Sequence, residues 1–184
     1  SVTVSGLVDG ANEVIRMDGT TISLGASSSG TTASNALDYT VTVSGGTATI
    51  TLNSPTGISV ANAQTLINSI TYQNTNIDTP TSGNRVFTIT QIQDNGSNAN
   101  GGLTTTALSA ASTVSVQPLN DAPTVTVTAL DPTFTEANGQ GTQASAVNVF
   151  SGASVSTIES GQSIINLSVT VSGLVDGANE VIRM

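Results

Sequence analysis

Seventeen consecutive residues, Ser1-Val-Thr-Val-Ser-Gly-Leu-Val-Asp-Gly-Ala-Asn-Glu-Val-Ile-Arg-Met17, return letter for letter as Ser168 to Met184. Chance does not produce such a match. The offset, 168 − 1 = 167 residues, reads as the period of a tandem array, with both ends of the chain cut at an arbitrary phase. Whatever fold the chain adopts must therefore stack end to end. Any function belongs to a repeat rather than to a self-contained molecule.

The residues between the two copies favour strands. Val, Ile, Leu, Ala and Thr alternate with Ser and Asn, while Gly, Asn and Ser fill the turns. Long charged helix formers are few, so an all-β protein is expected. Residues 1–8 alternate Val2 and Val4 against Thr3 and Ser5, the pattern of a half-buried strand. Glu13 to Met17 reads as a strand, and Asp18-Gly19 turns it into Thr20 to Leu24. A small-residue loop is expected from Gly25 to Ser34. Asp38 to Val43 and Thr47 to Leu52 flank Gly45-Gly46, the clearest hairpin. Between Val60 and Ser69 the apolar residues fall at helical spacing, leading into a strand that ends near Gln73. Pro80 and Gly83 mark a loop, Arg85 to Ile92 alternates strongly, and Asp94 to Gly102 is a polar loop. Two strands are expected near Leu103 to Leu108 and Ser112 to Gln117.

Pro118-Leu-Asn-Asp-Ala-Pro123 then interrupts the pattern, two prolines bracketing an Asn-Asp pair between β-runs. It is the natural domain boundary, separating residues 1–119 from residues 120–184. Beyond it, strands are expected around Val125 and Val127, from Ala146 to Phe150, and from Ile164 to Val171. About ten short strands per period with regular turn signals indicate a β-sandwich. The boundary also sets the phase: residues 1–119 are the later two thirds of one repeat, and 120–184 the linker and first third of the next. On that phase the two identical stretches are the same mid-module strand region in successive repeats.

Charge and chemistry exclude much. Twelve acidic residues face three arginines, lysine and histidine are absent, and the formal net charge is −9. Nucleic acid needs a basic face, as does an anionic membrane surface. No apolar run is long enough to insert into a bilayer. Without His or Cys, Ser–His and Cys–His nucleophiles and thiolate or imidazole metal sites are excluded within the chain. Lys–Asn isopeptide cross-links are equally impossible. The five aromatic side chains sit at strand positions suited to the core, leaving no sugar platform, so no enzyme is expected. Asn95-Gly-Ser97 and Asn166-Leu-Ser168 match the glycosylation pattern but read as ordinary turn sequence. The productive option is a hard cation, which takes six to eight oxygen ligands and no nitrogen. Asp94-Asn95, Asn120-Asp121, Glu136 and Glu159 stand at strand-to-loop transitions, with no lysine to compete.

Several landmarks occur in a familiar order: Ala63-Gln-Thr-Leu-Ile-Asn-Ser-Ile-Thr-Tyr-Gln-Asn-Thr75, Pro80-Thr-Ser-Gly-Asn-Arg85, Asp94-Asn-Gly96, Asn120-Asp-Ala-Pro123, Thr133-Phe-Thr-Glu136 and Val155-Ser-Thr-Ile-Glu-Ser-Gly161. In these, nearly the whole period resembles the cadherin-like tandem repeats of giant bacterial surface proteins. The resemblance implies a Greek-key β-sandwich, cadherin- or immunoglobulin-like, strung into extended secreted rods with Ca2+ clamped at module junctions. It makes Asn120 and Asp121 the linker ligands and puts Glu159 at the start of the module that follows. By the same resemblance Glu136 reaches that module's far end, and Asp94 sits at the near end of its own. The sequence departs from the family where Thr157-Ile-Glu159 replaces Asp-x-Asp, so one carboxylate fewer is available and weaker or fewer ions follow.

The expected function is thus that of an extracellular spacer or stalk repeat in a large bacterial adhesin, at the cell surface or in a secreted matrix. Its partners would be neighbouring repeats of the same protein. The alternative is a filament or sheath subunit, in which like chains pack laterally or exchange strands into a fibre. A carbohydrate-binding repeat would need a platform the sequence does not offer.

Overall fold

The computed structural model describes residues 1–183, so Met184, the last residue of the second copy, lies outside the described residues. The chain divides into two compact units, Ser1–Leu119 and Asn120–Met184.

In the first unit, strand β1 (Val2–Ser5) buries Val2 and Val4 and leaves Thr3 and Ser5 half-exposed, as its alternation dictates. Strands β2 (Glu13–Met17) and β3 (Thr20–Ser23) are joined by Asp18-Gly19, with φ of 47° and 77°. Two successive left-handed residues make the turn whose twist suits a two-residue hairpin. Gly45-Gly46, with φ of 55° and 72°, do the same between β5 (Asp38–Ser44) and β6 (Thr47–Asn53). The stretch read as a loop from Gly25 to Ser34 instead contains strand β4 (Ser28–Thr31), which pairs with β5 and is fully exposed. An edge strand of Ser, Gly and Thr has no apolar alternation to betray it; its partner strand specifies it.

Helix α1 (Val60–Asn68) forms at the helically spaced stretch, begins at Ser59, whose Oγ accepts the Asn62 N–H at 3.1 Å, and buries Leu66. Strand β7 (Thr71–Asn74) follows, then β8 (Gly83–Gln93) and β9 (Thr105–Val116). The last is one continuous strand where two were expected. A register shift opposite Ile89/Gln91 absorbs the break in pattern that had suggested a turn.

All pairings are antiparallel. A six-stranded sheet has the order β4-β5-β6-β1-β8-β9, and a three-stranded sheet the order β3-β2-β7. A single core cluster draws on both: Val2, Val4, Val41, Ala48 and Ile50 from the larger, Ile15, Met17 and Ile22 from the smaller, with Leu7, Leu24, Leu37 and Leu66 around them. Both copies of the duplicated sequence contain the strand residues, yet only the first lies in this core.

The second unit has one two-stranded sheet, β10 (Thr124–Ala129) with β11 (Phe150–Ser156), bulged near Val127. Both strands are exposed along their whole length. β11 begins where a strand from Ala146 to Phe150 was expected to end, and residues 164–171 form no strand at all. No helix among the described residues is long and apolar enough to cross a membrane.

Candidate cation site and a buried ion cluster

The five acidic and amide residues expected to bind a cation fall into three places. Asp94 follows β8 in the first unit and caps its own loop: Oδ1 accepts the Gly96 N–H at 2.8 Å, and its N–H donates to the Thr104 carbonyl at 2.9 Å. Glu136 is exposed on the long connection between β10 and β11. Asn120, Asp121 and Glu159 come together at the start of the second unit. There the Asp121 N–H donates to Glu159 Oε1 at 2.6 Å, and Gln162 Nε2 donates to Asn120 Oδ1 at 2.6 Å.

Glu159 is aimed by the turn that ends β11. Ile158 has φ of 68°, a conformation that β-branched side chains seldom adopt, and its N–H is held by Ser156 Oγ at 3.0 Å. The Thr157 hydroxyl binds the Glu159 carbonyl at 3.0 Å. The result brings Glu159 back over the linker. Its second oxygen, Oε2, is enclosed and has no hydrogen-bond partner, an arrangement that costs free energy until a donor, water or cation meets it. Asn120, Asp121 and Glu159 offer two carboxylates and one amide oxygen. No group of three or more His, Cys, Asp or Glu side chains is placed to share a metal among the described residues. A calcium shell here would therefore need water, backbone carbonyls or residues of another repeat.

The most developed polar site lies elsewhere, in the first unit. Alternation along β2 puts Glu13 on the same face as Ile15 and Met17, and that along β8 puts Arg85 with Phe87 and Ile89. Glu13 and Arg85 are 0% and 1% exposed. Arg85 Nε donates to Glu13 Oε1, which also accepts the Tyr72 hydroxyl at 2.9 Å. Glu13 Oε2 accepts the N–H groups of Val8 and Asp9 at 2.8 and 2.9 Å. Arg85 Nη2 reaches Asp9 Oδ2 at 3.2 Å and the Thr81 carbonyl at 3.1 Å. Asp9 Oδ2 accepts in addition from Asn74 Nδ2 and the Thr81 N–H. The cluster ties β2, β7, β8 and the loop before β8 to a single point.

Its electrostatics follow from that geometry. Burial pushes the Glu13 carboxyl up, but Arg85, the Asp9 and Val8 N–H groups and Tyr72 together hold it below the usual range. Asp9 behaves likewise, burial being outweighed by Thr81, Asn74 and Arg85. Burial and the Glu13 acceptor push Tyr72 up to about 12. Burial lowers Arg85, while Glu13 more than restores it, so its pKa is raised. Both Glu13 oxygens are fully engaged, and no lone pair is left for a substrate proton. The cluster holds strands together.

Asp18 forms a smaller clamp at the β2–β3 turn. Burial raises its carboxyl, but hydrogen bonds from the Thr32 hydroxyl and from Asn35 outweigh it and lower the pKa. Asn62 of α1 extends the chain to Asn35 Oδ1 at 2.8 Å. Glu13 and Arg85 carry one signal in the sequence, a charge on the apolar parity of an alternating strand, in β2 and β8; Asp18 carries only that of a turn residue.

No protein-family model matches the chain, and no curated protein or solved structure is similar to it at a significant level.

Proposed function

We propose that this chain is a structural, non-enzymatic repeat of a long extracellular rod, its modules cadherin-like Greek-key sandwiches stiffened by calcium where one meets the next. The exact duplication supports the array, and the division into units at the Pro118–Pro123 run supports a modular rod. The observation that carries the calcium reading is Glu159. Its bare Oε2 is enclosed beside Asn120 and Asp121, the Asn-Asp pair of the proline-bracketed linker. An ion bound there draws the linker onto the turn after β11 and restricts bending. An ion at a hundred times its dissociation constant stabilises the ordered junction by about 2.7 kcal/mol.

The test is calcium titration calorimetry on two tandem periods, with small-angle scattering in calcium and in chelator. Binding that Glu159→Gln weakens at least about tenfold, with a longer scattering profile in calcium, is the expected result. Identical profiles and no heat of binding would sink the clamp while leaving the repeat intact.

A further inference from the structure

One peptide bond of the second unit combines a strained backbone with a reactive pair of residues. Of the prolines Pro55, Pro80, Pro118, Pro123 and Pro132, only Pro132 follows an aspartate. That aspartate, Asp131, has φ of 44°. The other non-glycine residues with positive φ among the described residues, Asp18, Ala36, Asn100 and Ile158, are followed by Gly, Leu, Gly and Glu. A left-handed backbone crowds the Cβ of any residue but glycine, and a proline ring presses the residue before it towards extended conformations. Asp131 meets neither preference.

The end of a ladder holds it there. β10 and β11 pair from Thr124 opposite Ser156 to Ala129 opposite Phe150, and the Leu130 N–H donates to the Val149 carbonyl at 3.0 Å. Asp131 is the next residue, where the chain leaves the sheet. Asp131 and Pro132 are both exposed, so water reaches the bond between them.

The chemistry of such a bond is particular. An aspartate carboxylate reaches its own carbonyl carbon through a five-membered ring, an intramolecular attack that needs no second reactant. Before other residues a competing path exists, in which the next backbone nitrogen gives up its hydrogen and attacks the side-chain carboxyl. Proline has no N–H and closes that path.

We propose that the Asp131–Pro132 bond cleaves itself. A carboxylate oxygen of Asp131 attacks the Asp131 carbonyl carbon, and a C–O bond forms as the bond to the Pro132 nitrogen breaks. The nitrogen leaves as a secondary amine, taking a proton from solvent. The cyclic anhydride left on Asp131 adds one water and opens to two carboxyl groups, the side chain and a new C-terminus. The net reaction is hydrolysis of one peptide bond with no change of oxidation state. It turns over once, on the chain itself. Departure of the proline ring removes the crowding at Asp131, so strain held by the fold is released as the bond breaks. β10 lies before the cut and β11 after it, so their ladder keeps the two pieces together until it opens. The proposal does not depend on calcium or on the rod.

The test follows the full chain in neutral to mildly acidic buffers, over the range in which circular dichroism shows it folded, with intact mass spectrometry as the readout. Fragments 1–131 and 132–184 are the expected products. They should form about tenfold faster than the corresponding cut in a synthetic peptide of residues 127–136, where nothing holds φ; about 1.4 kcal/mol of released strain gives that factor. Asp131→Glu, whose carboxylate would have to close a six-membered ring, should slow cleavage at least about tenfold. A bond that stays intact, cleavage no faster in the folded chain than in the peptide, or Asp131→Glu cut as fast as the parent chain overturns the proposal.

Discussion

At the scale of single residues, the first unit depends on three carboxylates that are kept ionised. Asp9, Glu13 and Asp18 all have lowered pKa values in the fold, because hydrogen bonds and Arg85 outweigh their burial. Their contribution is complete above the ordinary carboxylate pKa of about 4 and is lost as pH falls through it towards the lower folded values. Urea midpoints should therefore drop between pH 6 and pH 3, and a midpoint that does not move contradicts the assignment. Tyr72 works at the other end. Its pKa is raised to about 12, so its contribution is complete below about 10 and fades as pH rises from there. Tyr72→Phe should cost about 1 kcal/mol at neutral pH and flatten that alkaline loss. Arg85→Met leaves Glu13 buried without its cation and should cost about 3–5 kcal/mol in denaturant unfolding. Arg16→Met, on the exposed face of β2, should stay within about 0.5 kcal/mol.

At the scale of elements, the two copies separate what a turn needs from what a strand needs. Gly6 and Gly173 are the same position of the duplicated stretch, with φ of 80° and 78°. A Cβ at Gly6 would lie 2.3 Å from the Asn84 carbonyl oxygen, while one at Gly173 meets nothing within 4 Å. Gly6→Ala should therefore cost at least about 3 kcal/mol, clash added to backbone strain, against about 1 kcal/mol or less for Gly173→Ala. Thermal unfolding of the two variants checks the contrast, and equal midpoints would count against the packing of β1 on β8. The hairpins and α1 were legible in the sequence because their signals are local: paired turn residues and apolar spacing. β4 was not, since Ser28–Thr31 has no apolar face and owes its strand to β5. The continuity of β9 was hidden for the same reason, a bulge being defined by its partner.

At the scale of the whole molecule, the sequence by itself determined that a seventeen-residue stretch recurs, that the chain is rich in strands, and where proline interrupts it. It also determined the turn Asp-Gly-Ala-Asn-Glu, which closes by hydrogen bonds reaching three to five residues. The cap at Asp9 has φ and ψ of −101° and 14°, and that at Asp176 −101° and 12°. Of the expected cation ligands, the sequence placed Asn120, Asp121 and Glu159 near strand ends, but their meeting at one point spans the whole of β10, β11 and the connection between them. Glu136 looks equally suitable as a letter and does not join them, and Asp94 belongs to the other unit. Glu13 and Arg85 lie 72 residues apart, and a charge on an apolar face shows that a partner is needed without saying which. Only the tertiary structure decided that. Glu13 is fully buried and Glu180 exposed, with identical neighbours from Ser1 to Met17 and from Ser168 onward. A turn satisfies its hydrogen bonds within itself, whereas a strand has half of its partners elsewhere in the fold and exists only where they are supplied.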